Sequence, residues 1–468
     1  MTTQPHPTLP KPATAAPLDP EYRPAVLAWR AVEQSARSAE RTERVVLAVE
    51  DAGGRISRWE ASLPSTRNAV QAALNRRIVE RAAKFLLWSR GGCRLHVGTD
   101  ANWGQLLRKE YSPDGPRAFD VGLLKRIYET PFEVRIGAID SVPATAESAS
   151  RVGGHLDGCR IGFDLGASDY KLAAVRDGVP VFSTEIPWTP QSEADPAYHY
   201  RCIADGLREA ASHLPRVDAI GGSSAGVYIN NRPMVASLFR SVPADRFAAE
   251  VQPMFERLRE QWGVPLVVIN DGDVTALAGA LSLKKSGMFG MAMGSSEAVG
   301  FLNREGSIAG WLNELAFAPV DINPAAQRDE WSQDAGVGAL YFSQQAVNRL
   351  APAAGFSFPD EMGLPERLKS VQEKANAGDP AAARIFETLG VYLGHTLPWY
   401  RVFYDFNDAL VLGRVTSGAG GEVLIETARA VLREHFPEVA DSLAIHVPDE
   451  RSRRVGQAVA AASLPALS

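Results

Sequence analysis

The chain has 468 residues, a length that predicts two or three domains. Hydrophobic residues make up 45% and charged residues 22%, as in ordinary globular proteins, and the net charge of -6 with both signs interspersed disfavours nucleic acid as a partner. Three widely separated cysteines, Cys93, Cys159 and Cys202, argue against a disulfide framework and a cysteine-rich zinc site. No apolar run is long enough to span a bilayer and the first residues lack a signal-peptide core, so we expect no membrane partner and a cytoplasmic location.

The first 24 residues carry seven prolines and almost no aliphatic side chains. This composition predicts that residues 1–24 form a disordered tail. Residues 25–155 follow as an N-terminal α+β extension, in which we find no catalytic motif. Its clearest element is an amphipathic helix from Thr66 to Trp88. The basic stretch Arg76–Arg81 of this helix is not followed by a second helix at helix-turn-helix spacing, so we interpret it as a solvated face and not as a DNA contact.

A polar stretch from Asp140 to Gly158 separates the extension from a first α/β lobe, residues 156–283. This lobe opens with the strand Cys159–Leu165, a glycine-containing turn and the strand Lys171–Arg176. An Asp-Gly turn and a third strand follow, and the pattern therefore predicts a three-stranded meander.

The opening of the first lobe recurs at the start of residues 284–468, which we expect to form a second lobe. A strand from Met288, a turn at Gly294–Ser296 and a strand at Ala298–Asn303 repeat the pattern. We interpret this as an internal duplication, with two like lobes around a cleft. The alternative is chance similarity between two hairpins. A terminal helix, Glu450–Ser463, is expected to pack back on the fold.

One strand-to-helix corner lies between these two openings. The buried strand Leu266–Ile269 leads directly into Asn270, Asp271 and a helical pattern. An acid at such a corner lies at the carboxyl edge of a sheet, where α/β folds bind ligands. Asp271 is therefore a candidate functional residue, and the alternative is that it only caps the helix.

Three glycine-rich turns at strand ends bracket this corner: Asp164–Ser168, Gly294–Ser296 and Gly413–Gly421. Glycine lets backbone N–H groups approach a ligand closely, and oriented amides attract anions. A tight hairpin also favours glycine, so each turn alone is weak evidence. Three together favour phosphate binding in a cleft.

Phosphoryl transfer needs positioning, a metal ion and a group that accepts the proton of the nucleophile. Asp271 could accept that proton, since an unperturbed carboxylate is ionised at neutral pH. Asp164 could hold Mg²⁺, usually through water, because Mg²⁺ keeps much of its hydration shell.

In order, these motifs resemble those of the sugar kinase/actin superfamily of ATPases and, within it, the ROK family of sugar kinases and repressors. The resemblance covers about residues 159–468. The segments that carry it are IGFDLGASDYKLAAV (Ile161–Val175, first phosphate motif), GVPLVVINDGDVTALAGAL (Gly263–Leu281, catalytic helix), MAMGSSEAVGFLNREG (Met291–Gly306, second phosphate motif), GWLNELAFAPVD (Gly310–Asp321, sugar-contacting segment) and ALVLGRVTSGAGG (Ala409–Gly421, adenosine motif).

The resemblance implies an α/β fold of two actin-like lobes around a cleft. It also implies an ATP-dependent kinase that acts on a sugar or polyol hydroxyl, uses ATP and Mg²⁺, and forms a homodimer. Asp271 would be the catalytic base, and Asn270 and Glu314 would bind the sugar. The residues implied to bind the nucleotide and its phosphates are Gly166, Ser168, Lys171, Gly294, Ser295, Ser296 and Gly413.

Two departures from the family pattern affect these expectations. Many members bind zinc through a preceding His and a Cys-rich loop, but here Phe317 replaces the His and Gln327–Gly338 holds no Cys, so we expect no zinc. Glu297 lies in the second phosphate turn, where the family has small residues. A carboxylate about 4 Å from a phosphate charge costs about 4 kcal/mol at an effective dielectric of 20, so either Glu297 points away or nucleotide binding is weakened.

The alternative function is a non-catalytic sugar-sensing or regulatory protein on the same fold. Glu297, Phe317 and the altered loop favour this alternative, and the intact Asn270–Asp271 pair opposes it. A DNA-binding repressor is less favoured, because the extension lacks a winged-helix pattern.

Overall fold

The computed structural model describes residues 7–99, 103–147, 152–448 and 450–467. Its three largest sheets belong to the extension and to each of two α/β lobes. None of the helices in the described ranges is long and apolar enough to cross a membrane.

The extension is a four-stranded sheet with a long central helix. Its elements in chain order are α1 (Ala25–Ser38), β1 (Thr42–Glu50), β2 (Ile56–Pro64), α2 (Ala69–Arg90), β3 (Arg94–Thr99), α3 (Trp103–Glu110), α4 (Ala118–Tyr128) and β4 (Glu133–Gly137). The strand order is β2-β1-β3-β4, in which β1 is antiparallel to both neighbours and β4 is parallel to β3.

The carboxyl-terminal half of α2 is buried, so the interpretation of its basic stretch as a solvated face is wrong for Arg81, whereas Arg76 at the start of the stretch is exposed. Arg81 is 0% exposed. Its guanidinium pairs with Glu80 at 2.6 Å and with Asp334 at 2.8 Å, and Asp334 also pairs with Lys84 at 3.0 Å and with Arg117 at 2.6 Å. The cations of the extension thus neutralise a carboxylate of the second lobe, which no local pattern on the helix could reveal.

Residues 14–24 pack against the second lobe, so the prediction of a disordered tail is wrong for them; residues 1–6 lie outside the described residues. Tyr22 is completely buried. Its ring centroid lies 4.6 Å from that of Tyr392 and 5.8 Å from that of Tyr341. Proline-rich composition excludes regular local structure, but it does not exclude such long-range packing.

The first lobe carries a five-stranded sheet in the order β11-β8-β5-β6-β7. Its elements are β5 (Cys159–Leu165), β6 (Asp169–Arg176), β7 (Val179–Pro187), α5 (Pro196–Ala211), β8 (Ala219–Ser224), β9 (Val227–Ile229), β10 (Arg232–Val235), α6 (Ala244–Arg246), α7 (Met254–Trp262), β11 (Leu266–Asn270) and α8 (Asp271–Leu283). Strands β5 to β7 form the predicted antiparallel meander, and β8 and β11 extend the sheet in parallel from β5.

The second lobe carries a sheet in the order β13-β12-β14-β15. Its elements are β12 (Met288–Met293), β13 (Glu297–Leu302), α9 (Gln344–Leu350), α10 (Leu364–Asn376), α11 (Pro380–Tyr400), β14 (Asp408–Leu412), α12 (Gly418–His435), α13 (Pro437–Ala440), β15 (Ala444–His446) and α14 (Glu450–Ala462). This order matches β6-β5-β8-β11 of the first lobe, so the prediction of two like lobes is confirmed. The third meander strand is reduced to one bridge between Leu302 and Ile308.

Helix α14 returns to the first lobe and lies on its sheet. Two glycines on the strands beneath make this close approach possible. A Cβ at Gly162 would lie 1.7 Å from the carbonyl oxygen of Ala458, and a Cβ at Gly221 would lie 1.7 Å from that of Ala461. Any side chain at these two positions would separate helix and sheet.

Candidate active site

The carboxyl ends of β5, β8 and β11 meet at one edge of the first-lobe sheet. The register places Asp164 beside Ser223 and Asn270 beside Ser224. Helix α8 starts here and runs along the second lobe, where a Cβ at Gly272 would lie 2.3 Å from the carbonyl oxygen of Val299. The corner therefore lies where the two lobes meet.

Asn270 fixes the geometry of this corner. Its Oδ1 accepts a hydrogen bond of 2.7 Å from the Gly272 amide, and its Nδ2 donates one of 2.8 Å to the Gly226 carbonyl. Asn270 is thus the N-cap of α8, and the alternative that Asp271 serves only as the cap is wrong. Asp271 occupies the first helical position, where the backbone N–H groups of Asp271 and Gly272 stabilise its carboxylate.

The Asp271 carboxyl group is mostly removed from solvent. This burial, followed by the negative charge of Asp164, raises its pKa to about 6. A carboxylate with this pKa is still ionised at neutral pH and is more basic than an exposed aspartate. The geometry therefore supplies a general base at the cleft.

Glu314 and Asp273 place two further acids beside Asp271. Burial and, to a smaller extent, the charge of Asp271 raise the pKa of each to about 7. Asn313 Nδ2 donates to Asp273 Oδ1 at 2.9 Å, and Tyr404 OH donates to Asn313 Oδ1 at 2.9 Å. Asn313 was not predicted from the sequence as a site residue. Its φ of 52° is left-handed, a conformation that Asn tolerates better than most residues.

The extension holds the segment that carries Glu314. The amides of Glu314, Asn313 and Leu312 donate to the carbonyls of Trp88, Ser89 and Arg90 at 3.0, 3.1 and 3.3 Å. These carbonyls belong to the last turn of α2, where a helix has no N–H donors of its own to satisfy them. The extension is therefore part of the framework of this half of the cleft.

The first glycine-rich turn follows β5. The Gly166 amide donates to the Asp169 carbonyl at 3.0 Å, while the amides of Ala167 and Ser168 have no acceptor among the described residues. Ser168 Oγ donates to Asp169 Oδ2 at 2.7 Å. The turn thus presents open amides together with one carboxylate.

The second turn, between β12 and β13, has the same form. The Gly294 amide donates to the Ser296 carbonyl at 3.0 Å, and within the described part of the chain the amides of Ser295 and Ser296 have no acceptor. Gly413 ends the neighbouring β14 with a φ of 111°, and a Cβ there would lie 2.4 Å from the Met293 carbonyl. The predicted residues of this lobe therefore lie together at one sheet edge.

Asp164 is held by two side chains. Ser223 Oγ donates to its Oδ1 at 2.6 Å, and Lys171 Nζ lies 3.4 Å from its Oδ2. Lys171 also lies 3.6 Å from Asp169 Oδ1. Burial alone would lower the pKa of Lys171, but the two carboxylates raise it, so the lysine stays charged.

Glu297 points away from the second turn and into the core of the second lobe. It is 3% exposed, and Tyr400 OH donates to its Oε1 at 3.0 Å. Its Oε2 lies against Gly338, where a Cβ would be 1.9 Å away. Burial, followed by the charge of Glu314, raises its pKa to about 8, so the group is neutral at pH 7. The sequence left two outcomes for Glu297, and the observed one is that its side chain points away from the phosphate turn.

Phe317 packs against the extension. Its ring centroid lies 4.6 Å from that of Trp88 and 5.4 Å from that of Phe119. The cysteine-free loop Gln327–Gly338 is held by the ion pairs of Asp334 described above. Aromatic packing and buried charges thus hold the part of the chain where the family resemblance would place a metal.

Comparisons with known proteins identify the fold. No family model and no curated protein matches the chain. Among solved structures, a ROK family transcriptional regulator, a homologue of the E. coli MLC protein, aligns with a TM-score of 0.53 at 18% identity over 65% of this chain and 78% of that one. A ROK family glucokinase from Streptomyces griseus, in complex with glucose and AMPPNP, aligns with a TM-score of 0.50 at 18% identity over 64% of this chain and 98% of that one. The chain therefore has the ROK fold, which sugar kinases share with transcriptional regulators.

Proposed function

We propose that the cleft binds a sugar or polyol and transfers the terminal phosphoryl group of ATP to one of its hydroxyls. The observation that carries this proposal is the partly buried Asp271 carboxylate at the start of α8, in the electrostatic field of Asp164 and with a pKa of about 6. Asp271 accepts the proton of the attacking hydroxyl. Asn270 and Glu314 bind neighbouring hydroxyls.

The protonation states around Asp271 suit this task. Asp271 is the most acidic of the three neighbouring acids, since the pKa values of Asp273 and Glu314 are about 7. At neutral pH the base is therefore ionised while its neighbours are partly protonated. A protonated Glu314 can donate a hydrogen bond to a sugar oxygen, and an ionised one can accept a bond from a sugar hydroxyl.

The residues around Asp164 fit Mg²⁺ bound through water. Mg²⁺ commonly uses one or two protein carboxylates, with water and phosphate oxygens as its other ligands. No group of three or more acidic, His or Cys side chains within the described ranges could enclose a metal, so Asp164 would act with the nucleotide. When bound, Mg²⁺ neutralises charge on the phosphoryl oxygens. The open amides of Ser168, Ser295 and Ser296 would bind those oxygens.

A sugar-responsive regulator is the second candidate, and Asp169 favours it. Its carboxylate directly follows the first phosphate turn at the start of β6, where it would repel a nucleotide. The segment that resembles the adenosine motif also offers one amide fewer. The Ala419 amide at the start of α12 donates to Asn376 Oδ1 at 2.9 Å, so it is not open to a ligand. The similarity to the ROK transcriptional regulator supports this candidate, and the similarity to the glucokinase that holds glucose and AMPPNP supports the first.

The test is a panel of neutral sugars and polyols, assayed with Mg²⁺-ATP for ADP release, with nucleotide binding measured in parallel. The kinase proposal expects ADP release that depends on one sugar class. Sugar binding without ATP binding would replace it with the regulator.

A further inference from the structure

A cavity of about 770 Å³ lies between the extension and the second lobe. It is lined by the hairpin turn after β13, including Asn303 and Ser307, and by Asp405 just before β14. Gly294–Ser296 and Gly413 lie at the opposite ends of the same strands. A strand of six residues is about 20 Å long, so this cavity is distinct from the predicted phosphate turns.

The charges of the cavity wall are balanced. Three arginines face three carboxylates: Arg58, Arg90, Arg304, Glu147, Glu305 and Asp405. Arg304 and Asp405 neutralise each other through two hydrogen bonds of 2.5 and 2.7 Å. The remaining carboxylates would repel an anionic ligand, and the remaining guanidinium groups would repel a cationic ligand. The balance therefore favours an uncharged ligand.

Two buried donors of the wall lack acceptors. Arg90 is 7% exposed and forms no ion pair within the described residues. One of its nitrogens donates to the Phe403 carbonyl, but Nη1 has no partner, and neither has Nε1 of Trp311. The Arg90 guanidinium lies 3.5 Å from the centroid of the Trp311 ring, which holds it in place. Buried donors without acceptors are unfavourable, and a ligand oxygen would satisfy them after a small shift of the wall.

We propose that this cavity is a second ligand site, for an uncharged polyhydroxylated molecule of the neutral oligosaccharide class. Hydroxyl groups both donate and accept hydrogen bonds, so they match a wall that mixes guanidinium, carboxylate, amide and hydroxyl groups. The aromatic side chains of the lining, Phe301, Trp311 and Phe403, supply apolar contacts for the C–H faces of such a ligand.

This site is linked to the cleft by direct contacts. Arg90 lies 4.6 Å from the ring centroid of Tyr404, and Tyr404 OH donates to Asn313, which in turn holds Asp273. A ligand that moves Arg90 therefore also changes the surroundings of Asp273.

The test is calorimetric titration of the full chain with maltotriose, with glucose 6-phosphate and glucosamine as anionic and cationic comparators. Ala309→Trp fills the cavity, and Ala194→Trp makes the same substitution in an exposed loop of the first lobe. We expect Ala309→Trp to weaken maltotriose binding at least about tenfold, and Ala194→Trp to leave it unchanged.

Ala309 and Arg58 line the cavity and lie outside the predicted phosphate turns and the Asp271 corner, so a failure of the proposed kinase activity would not affect the result. Circular dichroism checks that Ala309→Trp is folded. If it is not, Arg58→Met at the rim of the cavity replaces it with the same expectation. Maltotriose binding that is insensitive to both cavity variants, its absence at millimolar concentration, or cavity-dependent binding of only the charged sugars would overturn the proposal.

Discussion

Asp271→Asn is the substitution that separates a catalytic Asp271 from a structural one. Asparagine keeps the volume and hydrogen-bonding shape of the side chain but cannot accept a proton from a hydroxyl. Asn270 continues to cap α8 in this variant, so the helix start is preserved. Any loss of turnover then reflects the loss of the base.

The magnitude of the expected loss follows from the pKa and from the usual contribution of a general base. With a pKa of about 6, Asp271 is about 90% ionised at pH 7, so nearly every molecule carries the active form. A positioned base contributes about 10² to 10⁴ in rate. We expect kcat to fall at least about 10²-fold, or about 2.7 kcal/mol of transition-state stabilisation, while KM for the sugar changes much less.

The same variant should be at least as stable as the wild type, although its turnover falls. Burial and Asp164 raise the pKa of Asp271 from 3.8 to about 6, so its ionised form destabilises the fold by at most about 3 kcal/mol above pH 6. A neutral asparagine removes this cost, and the melting temperature at pH 7 should rise or stay constant.

Steady-state kinetics and thermal melts of the purified variant check both expectations. The matched control is Asp195→Asn, which makes the same change at the N-cap of α5, where Asp195 accepts from the Ala197 amide at 3.2 Å. Asparagine is also a good N-cap, so this control should keep full activity. Unchanged kcat in Asp271→Asn would refute the role of Asp271 as the base.

Glu297 has a folded-state pKa of about 8, above its unfolded value of about 4.3, so stability should fall as the pH rises between these values, and Glu297→Gln should flatten this part of a melting-temperature profile. Gly162→Ala should destabilise the fold by several kcal/mol, on the order of a core overpacking, because its Cβ would meet α14, whereas Gly456→Ala, with open space around it, should be neutral or stabilising in chemical denaturation. Asp334→Asn should cost about 3–5 kcal/mol, since it removes the carboxylate that three buried cations share and leaves them only Glu80 and Asp120, and Glu330→Gln in the same loop should cost nothing measurable in the same assay. Metal analysis of the untagged protein should find no stoichiometric zinc, and one zinc per chain would contradict the expectation drawn from the sequence.

Local patterns were enough to predict the meander and the corner. The strand Cys159–Leu165 has the bounds that its apolar run and the following glycine predict. The change from strand to helix at Asn270–Asp271 was equally visible, because a β-branched run gives way there to helical spacing. These elements depend on neighbours in sequence, and the sequence therefore reports them.

Contacts between distant segments could not be predicted in this way. From the sequence alone, Arg81 is predicted to lie at the surface. Its buried partner Asp334 lies some 250 positions later in the chain, so no local pattern indicates the pair. Tyr22 is predicted to belong to a disordered proline-rich tail, but in the structure Tyr392 packs against its ring. The direction of Glu297 depends on the space left by Gly338. Each outcome is decided by tertiary packing, which a single sequence does not display.

The most direct test of phosphoryl transfer in this cleft is a ³¹P NMR spectrum of the protein with Mg²⁺-ATP and the sugar selected by the panel. The proposal predicts a new phosphate monoester resonance that grows as the γ-phosphate signal of ATP declines, and that is absent with Asp271→Asn. A γ-phosphate signal that stays constant with every sugar the protein binds would contradict it.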